Sequence, residues 1–198
     1  FFYRNVLERE PGDIRAVRVQ RRPYIPVVLS KNEVRRIIKQ LHYPYDLVVK
    51  LLYGCGLRLF ECLQIRVQSF DFDGEILTIH DGKGKKDRSV PIPRTIRAEL
   101  LDQLDSVSKL HQDDLASGYS GTFMMNQLEK KDKDASRELI WQFFFPAREL
   151  AFIQKTGEWR RYHLHERQVQ RAIQAAVPRA KVFKRVTSHT FRHSFATH

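Results

Sequence analysis

Five side chains in this sequence have the types and positions needed to bind and process a phosphate group. Arg58 follows a glycine-flanked turn, and Glu61 lies one helical turn later. Lys83 lies in a glycine-punctuated, lysine-rich segment, and His189 and Arg192 have the i, i+3 spacing that puts both on one side of a helix. An arginine fork holds two phosphate oxygens, so two arginines can stabilise the charge that grows on a phosphodiester in its transition state. Lysine and histidine can supply proton transfer.

Each of these signals also has an ordinary structural explanation. An arginine after a glycine turn is commonly a helix cap or a surface ion pair, and a lysine-rich hairpin tip is commonly a solvated turn. A histidine–arginine pair at this spacing occurs on many helices. The order of the three signals along the chain, and the elements around each, favour the phosphate interpretation. That interpretation requires Arg58 and Arg192 to meet around one anion.

Hydrophobic periodicity predicts a mainly α-helical fold with one small antiparallel β-sheet, an α+β class. Apolar residues recur at helical spacing in seven segments, and two strand-like segments flank the lysine-rich turn as the arms of a hairpin. Ser30 followed by Glu33 has the pattern of a capping box. The predicted helices are 1–10, 30–41, 43–56, 57–65, 93–110, 166–177 and a last one that begins at 187 or 188, and the predicted strands are 70–80 and 87–93.

The charge distribution indicates a nucleic-acid partner. The chain has 35 Lys and Arg residues against 23 Asp and Glu residues, a formal net charge of +12. Residues 160–198 contain nine Lys or Arg and a single acid, whereas residues 102–138 contain eight acids and five bases. A basic face opposite a neutral or acidic one is typical of DNA binding, although a basic protein without such a partner remains the alternative. Lys85 and Lys86, in the lysine-rich turn, are expected to contact the DNA.

Composition argues against several other classes of protein. Hydrophobic residues make up 42% of the chain, enough for a core, and the sequence contains no long uncharged apolar run and no signal-peptide pattern. Cys55 and Cys62 stand among leucines and isoleucines, so buried thiols are expected rather than a disulfide or a metal site. A reducing, cytoplasmic location follows from that expectation. No cofactor and no metal are expected.

Three segments resemble the sequence boxes of tyrosine recombinases, the phage-integrase-like enzymes that break and rejoin DNA. They are "GCGLRLFECLQIRVQSFDF", "HDGKGKKDRSVPIP" and "TSHTFRHSFATH". The resemblance runs from about Pro26 to the end of the chain and implies the catalytic domain of such an enzyme. It also implies that the intact protein recombines specific sites through a phosphotyrosine intermediate, with no metal and no nucleotide cofactor.

The resemblance assigns a role to each residue by its position. Arg58 and Arg192 would clamp the scissile phosphate. Lys83 would be the general acid for the 5′-oxygen, and His189 would hold the phosphate and assist proton transfer. Glu61 matches the acidic position that follows the first arginine, where it would orient the site.

The region between the second and third boxes resembles that of integron integrases, which recombine folded single strands and recognise bases that bulge from a hairpin. The resemblance is carried by "LIWQFFFPARE" and "WRRYHLHERQVQRAI". It implies that Trp141, Tyr162 and His163 stack on extruded bases, whose exposed faces suit such contacts. The alternative is that Trp141 belongs to an ordinary aromatic core.

The domain organisation follows from the same resemblance. Residues 1–25 are expected to be the remnant of an N-terminal core-binding domain and its linker. Residues 26–198 are expected to be the catalytic domain, with a partly ordered insertion around 113–156. None of the seven tyrosines follows Arg192, where the family's nucleophile lies, so the domain is expected to be incomplete at its C-terminus. Homo-oligomers on DNA are implied for the full-length protein.

These observations lead to two hypotheses of different classes. The first is a DNA-binding fragment of a site-specific, integron-integrase-like tyrosine recombinase, inactive by itself because it lacks the nucleophile. The second is a DNA-binding module or gene remnant that performs no chemistry. Replacing Lys83 would separate them, since it would abolish turnover in an enzyme completed by its tail but only reduce affinity in a binding module.

Overall fold

The computed structural model describes residues 2–10, 26–80, 87–124 and 134–198. The helices in these ranges are α1 (Phe2–Asn5), α2 (Lys31–Ile38), α3 (Tyr45–Gly54), α4 (Leu59–Leu63), α5 (Arg97–Ala116), α6 (Glu166–Arg179) and α7 (Ser188–Thr197). The strands are β1 (Phe70–Asp71), β2 (Ile76–Ile79), β3 (Arg88–Pro91), β4 (Pro146–Ile153) and β5 (Glu158–His163). The predicted class, mainly helical with small antiparallel sheet structure, is confirmed.

Helix α3 lies at the centre of the hydrophobic core. It is apolar on most of its surface, and its buried residues are Leu47, Val48, Val49, Leu51 and Leu52. Helices α6 and α7, from the C-terminal part of the chain, pack against it, and α4 follows it directly. Because a closely packed core transmits position from one element to the next, α3 fixes the turn that leads into α4 and carries Arg58.

The first sheet has the order β1-β2-β3, with each strand antiparallel to the next. Leu77 pairs with Val90, and Ile79 pairs with Arg88. Leu77 and Ile79 are buried, and paired residues of an antiparallel ladder point to the same face. Val90 and Arg88 are therefore on the core-facing side of β3, which gives a charged residue an unusual position.

A second antiparallel sheet, formed by β4 and β5, was not predicted from the sequence. Along β4, buried and exposed positions do not alternate, and the register shifts between Pro146 and Leu150. The period-two signal that identifies a strand is therefore absent. This sheet overlaps the region 113–156 that was expected to be an insertion. Within that region, residues 113–116 belong to α5 and residues 146–153 form β4.

The helix boundaries correct two predictions. The predicted helix 1–10 ends at Asn5, and the helix predicted to run through residue 41 ends at Ile38. Pro44 precedes α3 as its N-cap. The capping box of α2 is confirmed, because the Ser30 hydroxyl accepts from the Glu33 amide and the Glu33 carboxylate accepts from the Ser30 amide.

Helix α7 is held in place by residues from distant parts of the chain. Its N-cap is Thr187, one of the two predicted caps, and the Thr187 amide donates a hydrogen bond to the Thr190 hydroxyl at 3.0 Å. The hydroxyl of Ser194 accepts from the Leu29 amide at 2.9 Å, and Phe191 is fully buried. A helix of ten residues is marginal alone, so these tertiary contacts account for its stability.

Candidate functional site

The carboxylate of Glu61 forms the centre of an arginine cluster. Arg58 is the N-cap of α4 with extended backbone, and its amide donates to Glu61 Oε2 at 2.8 Å. The Arg58 Nη1 atom donates to Glu61 Oε1 at 2.5 Å. Arg88, from β3, donates from Nη1 to Oε1 at 3.1 Å and from Nη2 to Oε2 at 2.7 Å. One carboxylate thus holds two guanidinium groups side by side.

Arg192 reaches the same cluster from α7. Its Nη1 atom donates to the Gly56 carbonyl oxygen and lies 3.6 Å from Glu61 Oε2. Gly56 has a φ of 61°, in the left-handed region that glycine adopts at little cost. A Cβ atom at Gly56 would come within 2.4 Å of the Phe195 ring on α7. The glycine therefore allows α7 to approach the turn closely, and the fold brings Arg58 and Arg192 to one carboxylate.

The arginine cluster carries more positive than negative charge. The side chains of Arg58, Arg88 and Arg192 are 34%, 32% and 30% exposed, whereas that of Glu61 is 9% exposed. Three guanidinium groups against one carboxylate leave an excess of two positive charges. An anion from solvent can reach the arginines while the carboxylate behind them stays covered, which is the arrangement of a phosphate site.

The pKa directions show how charge is shared within the cluster. Burial alone would raise the pKa of Glu61, but hydrogen bonds from Arg88 and from the amide and guanidinium of Arg58 lower that pKa to about 2. The hydrogen bond to Glu61 raises the pKa of Arg88. Burial, followed by the nearby charge of Arg58, lowers the pKa of Arg192. Glu61 is therefore held ionised at neutral pH by hydrogen bonds from Arg88 and Arg58.

His189 lies on the first turn of α7, three residues before Arg192, and its side chain is exposed. It lines a cleft of about 400 Å³ together with Leu59 of α4 and Gln170 of α6. Leu59 directly follows Arg58 in the chain, but Arg58, Glu61 and Arg192 are not among the residues that line the cleft. The Ser188 amide at the start of α7 donates to Gln170 Oε1 at 3.4 Å, and the positive end of the helix dipole favours an anion near His189.

The three lysines predicted from the hairpin tip, Lys83, Lys85 and Lys86, lie outside the described residues. The residues that flank the segment are in contact, since His80 Nδ1 lies 2.9 Å from Asp87 Oδ2. Arg88, the next residue, contacts Glu61.

Of the three residues expected to stack on bases, Tyr162 has the most exposed ring. It is 42% exposed and packs edge-to-face on Phe123 and Phe143, at centroid distances of 5.1 and 5.6 Å. Trp141 is half-buried, and His163 is only 4% exposed. The structure does bring Tyr162 and His163 together, with ring centroids 4.0 Å apart.

His163 has an unusual environment for a polar ring. Its Nδ1 atom lies 2.8 Å from the Leu164 carbonyl oxygen, and its Nε2 atom is buried without a hydrogen-bond partner in the part of the chain that the structure describes. Burial lowers the pKa of His163, which favours the neutral ring at pH 7. With so little exposure, His163 supports the neighbouring ring and does not itself offer a face to solvent.

Sequence reasoning missed Arg66, which organises the aromatic region. Its guanidinium lies 3.6 Å from the centroid of the Phe143 ring and donates to the carbonyl oxygens of Trp141, at 2.6 Å, and Phe123, at 2.7 Å. Burial lowers the pKa of Arg66 to about 10. The contacts join residues more than fifty positions apart, so no local pattern could have indicated them.

Sequence reasoning also missed Arg88, whose position is visible only in the structure. In β3, Arg88 and Val90 are half-buried while Ser89 and Pro91 are exposed. This alternation assigns Arg88 to the core-facing side, where an arginine needs a buried partner. The resemblance to the second sequence box assigns a role to Lys83 and none to Arg88.

Residues 2–10, 26–80, 87–124 and 134–198 contain neither a candidate membrane span nor a candidate metal site. No helix there is both long and apolar enough to cross a membrane. Within the same ranges, no three His, Cys, Asp or Glu side chains are placed to hold a metal ion. Cys55 and Cys62 are buried free thiols, as predicted, and burial raises the pKa of Cys55 to about 12.

Comparisons with known proteins agree with one another. Residues 27–198 match a model described as the phage integrase family. An integrase/recombinase of Escherichia coli is 38% identical over 173 residues, which are 87% of this chain and 51% of that protein. The chain thus spans about half the length of the curated relatives it matches.

Solved structures give the same grouping at the level of the fold. The crystal structure of XerA recombinase is similar with a TM-score of 0.56 at 21% sequence identity, covering 89% of this chain and 51% of the XerA chain. XerH site-specific recombinase, bound to its difH substrate in a pre-cleavage complex, has a TM-score of 0.55 at 18% identity. That match covers 87% of this chain and 42% of XerH.

Proposed function

The chain belongs to the phage integrase family and has the fold of a tyrosine recombinase catalytic domain, and on that premise we propose that it binds DNA and clamps one phosphodiester for site-specific recombination. The observation that carries the proposal is the convergence of Arg58 and Arg192 on Glu61 with two positive charges in excess. A phosphodiester supplies the negative charge that the arginine cluster lacks.

The chemistry follows from the positions of the side chains. Arg58 and Arg192 bind the non-bridging oxygens and stabilise the charge that develops as phosphorus becomes five-coordinate. A tyrosine oxygen forms a bond to phosphorus while the bond to the 5′-oxygen breaks, and Lys83 donates the proton that the leaving oxygen needs. His189, at the rim of the cleft, holds a phosphate oxygen. None of the seven tyrosines in these 198 residues follows Arg192, so the nucleophile's role is assigned to none of them.

The domain assignment is part of the proposal. Residues 26–198 are the catalytic domain, residues 1–25 are the linker and the end of a core-binding domain, and the region 113–156 is an addition that contacts the recombination site. Lys85 and Lys86 contact DNA beside Lys83. Assembly of the complete protein into homo-oligomers on DNA also belongs to the proposal.

The test is the affinity of this chain for a fluorescein-labelled DNA duplex, measured by anisotropy at several salt concentrations. Arg58→Ala and Arg192→Ala should each weaken binding about tenfold and lower the dependence of affinity on salt by about one phosphate contact. Arg94→Ala is the matched control, because Arg94 is 86% exposed and forms a single surface ion pair with Glu75. Affinity that is flat with salt, or equal losses for all three variants, would contradict the proposal.

We further propose that the DNA partner includes folded single strands, with Tyr162 as the main stacking residue. Its ring is the most exposed of the three assigned by resemblance, and it rests on Phe123 and Phe143. Tyr162→Ala should weaken binding to a hairpin with bulged bases about tenfold and leave a fully paired hairpin nearly unaffected. Trp141→Ala, at a half-buried position, is the comparison variant. Equal losses on both hairpins would remove the stacking role.

A further inference from the structure

We propose that Arg88 is a positioning residue that orients Arg58 by fixing the carboxylate of Glu61. The inference rests on the proposed function and adds to the phosphate site a residue that would not touch the phosphate. Arg58, Arg88 and Arg192 approach the two carboxylate oxygens of Glu61 in different ways.

Arg88 makes the most directional of these contacts. Its two terminal nitrogens reach the two oxygens of Glu61 separately, at 3.1 and 2.7 Å, in a parallel, bidentate arrangement. The guanidinium of Arg58 reaches one oxygen through one nitrogen, and Arg192 stays 3.6 Å away. A bidentate pair defines the plane of the carboxylate, whereas a single contact leaves it free to rotate. Of the three guanidinium groups, that of Arg88 is the one that donates to both oxygens of Glu61, and it helps to fix the carboxylate plane together with the Arg58 amide.

The position of Arg88 in the fold indicates the same role. It pairs with Ile79, which is 2% exposed, so its side chain extends along the core-facing side of the first sheet. An arginine placed there must be paired, and Glu61 is the carboxylate that it contacts. Arg58 contacts the same carboxylate from the other side, and its orientation depends on the same two oxygens of Glu61.

Arg58 is attached to Glu61 at two points. Its backbone amide donates to Oε2, and its Nη1 atom donates to Oε1. A rotation of the carboxylate would break one of these hydrogen bonds and move the guanidinium of Arg58. Arg192 does not depend on Glu61 in this way, because its Nη1 atom is hydrogen-bonded to the Gly56 carbonyl oxygen. Arg88 should therefore be coupled to Arg58 and independent of Arg192.

A double-mutant cycle measures this difference. The affinity of the chain for the labelled DNA duplex is determined for Arg88→Gln alone, in an Arg58→Ala background and in an Arg192→Ala background. Alone, Arg88→Gln should weaken binding about tenfold, and in the Arg192→Ala background the loss should be the same. In the Arg58→Ala background the loss should shrink to that of the exposed control Arg94→Gln, because there is no guanidinium left to orient.

Arg88→Lys separates geometry from charge. Lysine keeps the positive charge but cannot donate to two oxygens in one plane, so most of the tenfold loss should remain. Because Arg88→Lys conserves the charge beside Glu61, it also provides the same cycle should Arg88→Gln fail to fold. Urea unfolding of each variant shows that the affinities refer to folded protein.

Three outcomes would overturn the inference, and they can be told apart. An undiminished Arg88→Gln loss in the Arg58→Ala background would show that Arg88 acts directly on DNA. If Arg88→Gln alone weakened binding no more than Arg94→Gln, while Arg58→Ala and Arg192→Ala still bound DNA poorly, the positioning role of Arg88 would be wrong and the phosphate site would stand. If Arg58→Ala and Arg192→Ala also matched the control, the phosphate site itself would be wrong and the inference would fall with it.

Discussion

Asp114 and Arg161 form a closed ion pair, whereas the arginines around Glu61 form an open one. Arg161 donates from Nε and Nη2 to the two oxygens of Asp114 at 2.6 and 2.5 Å, and the two side chains are 8% and 10% exposed. In the arginine cluster, three guanidinium groups share one carboxylate and each is about one-third exposed. The same two chemical groups therefore serve different purposes, depending on whether their charges cancel.

The closed pair has an architectural purpose. It joins α5 to β5, and Arg161 Nη1 also donates to the carbonyl oxygens of Ala147 and Arg148 near the start of β4. All three nitrogen atoms of the Arg161 guanidinium therefore donate hydrogen bonds within the protein. The open cluster, by contrast, has cationic surface left for a ligand. Excess charge at the surface, and not the presence of arginine, distinguishes a binding site from a structural tie.

The largest expected effect is on the closed pair. Asp114→Ala leaves a buried, unpaired arginine and should lower the free energy of unfolding by about 3–5 kcal/mol, measured by urea denaturation. Glu75→Ala, which breaks the exposed pair with Arg94, should cost less than about 1 kcal/mol. Folded Asp114→Ala protein should bind DNA as before. Similar losses in the two variants would remove the distinction between closed and exposed pairs.

A smaller effect is expected at the centre of the open cluster, and it should depend on pH. The folded pKa of Glu61, about 2, is below its ordinary value near 4.5, so the ionised carboxylate stabilises the fold above pH 4.5. That contribution is lost as the pH falls from about 4.5 towards 2. At pH 7, Glu61→Gln should cost about 2 kcal/mol.

The control for this pH dependence is Glu75→Gln, an acidic residue in an exposed pair. Urea denaturation at a series of pH values gives the difference in unfolding free energy between wild type and Glu61→Gln. This difference should become smaller as the pH falls from about 4.5 towards 2. For Glu75→Gln the difference should stay small throughout. A Glu61→Gln difference that did not change with pH would show that the carboxylate is not held ionised by its arginines.

The smallest effect concerns the approach of α7 to the open cluster. Gly56 and Gly118 both have positive φ angles, 61° and 78°, but a Cβ atom would meet Phe195 at the first position and nothing within 4 Å at the second. Alanine should strain the backbone equally at both, so Gly56→Ala should cost about 1 kcal/mol more than Gly118→Ala. Only Gly56→Ala should also weaken DNA binding, since it displaces Arg192. Equal stability and unchanged affinity would show that Phe195 moves aside freely.

Local signals in the sequence predicted most of the elements that position the site. The Ser30 capping box, the apolar helix α3 and the hairpin strands β2 and β3 each depend on residues close together in the chain. The convergence of Arg58 and Arg192 was expected only from the motifs in combination, since neither motif indicates the other.

Tertiary partners could not be predicted. Arg161 was counted within the basic C-terminal segment, yet Asp114 neutralises it and removes it from the surface that faces a partner. His163 was expected to offer its ring to a base, but packing against Phe143 buries it. Arg88 was overlooked because its role depends on Glu61, which belongs to another element. Each of these environments depends on a partner that lies far away in the chain, and the base-stacking role of His163 stays a prediction.

The hydrogen bond between the Leu29 amide and the Ser194 hydroxyl joins residues 165 positions apart. Since both groups are buried, the Leu29 proton exchanges with deuterium only when α7 lifts from the core, and the two segments open as one cooperative unit. The rate of hydrogen–deuterium exchange at the Leu29 amide therefore reports how often α7, the helix that carries His189 and Arg192, separates from the core.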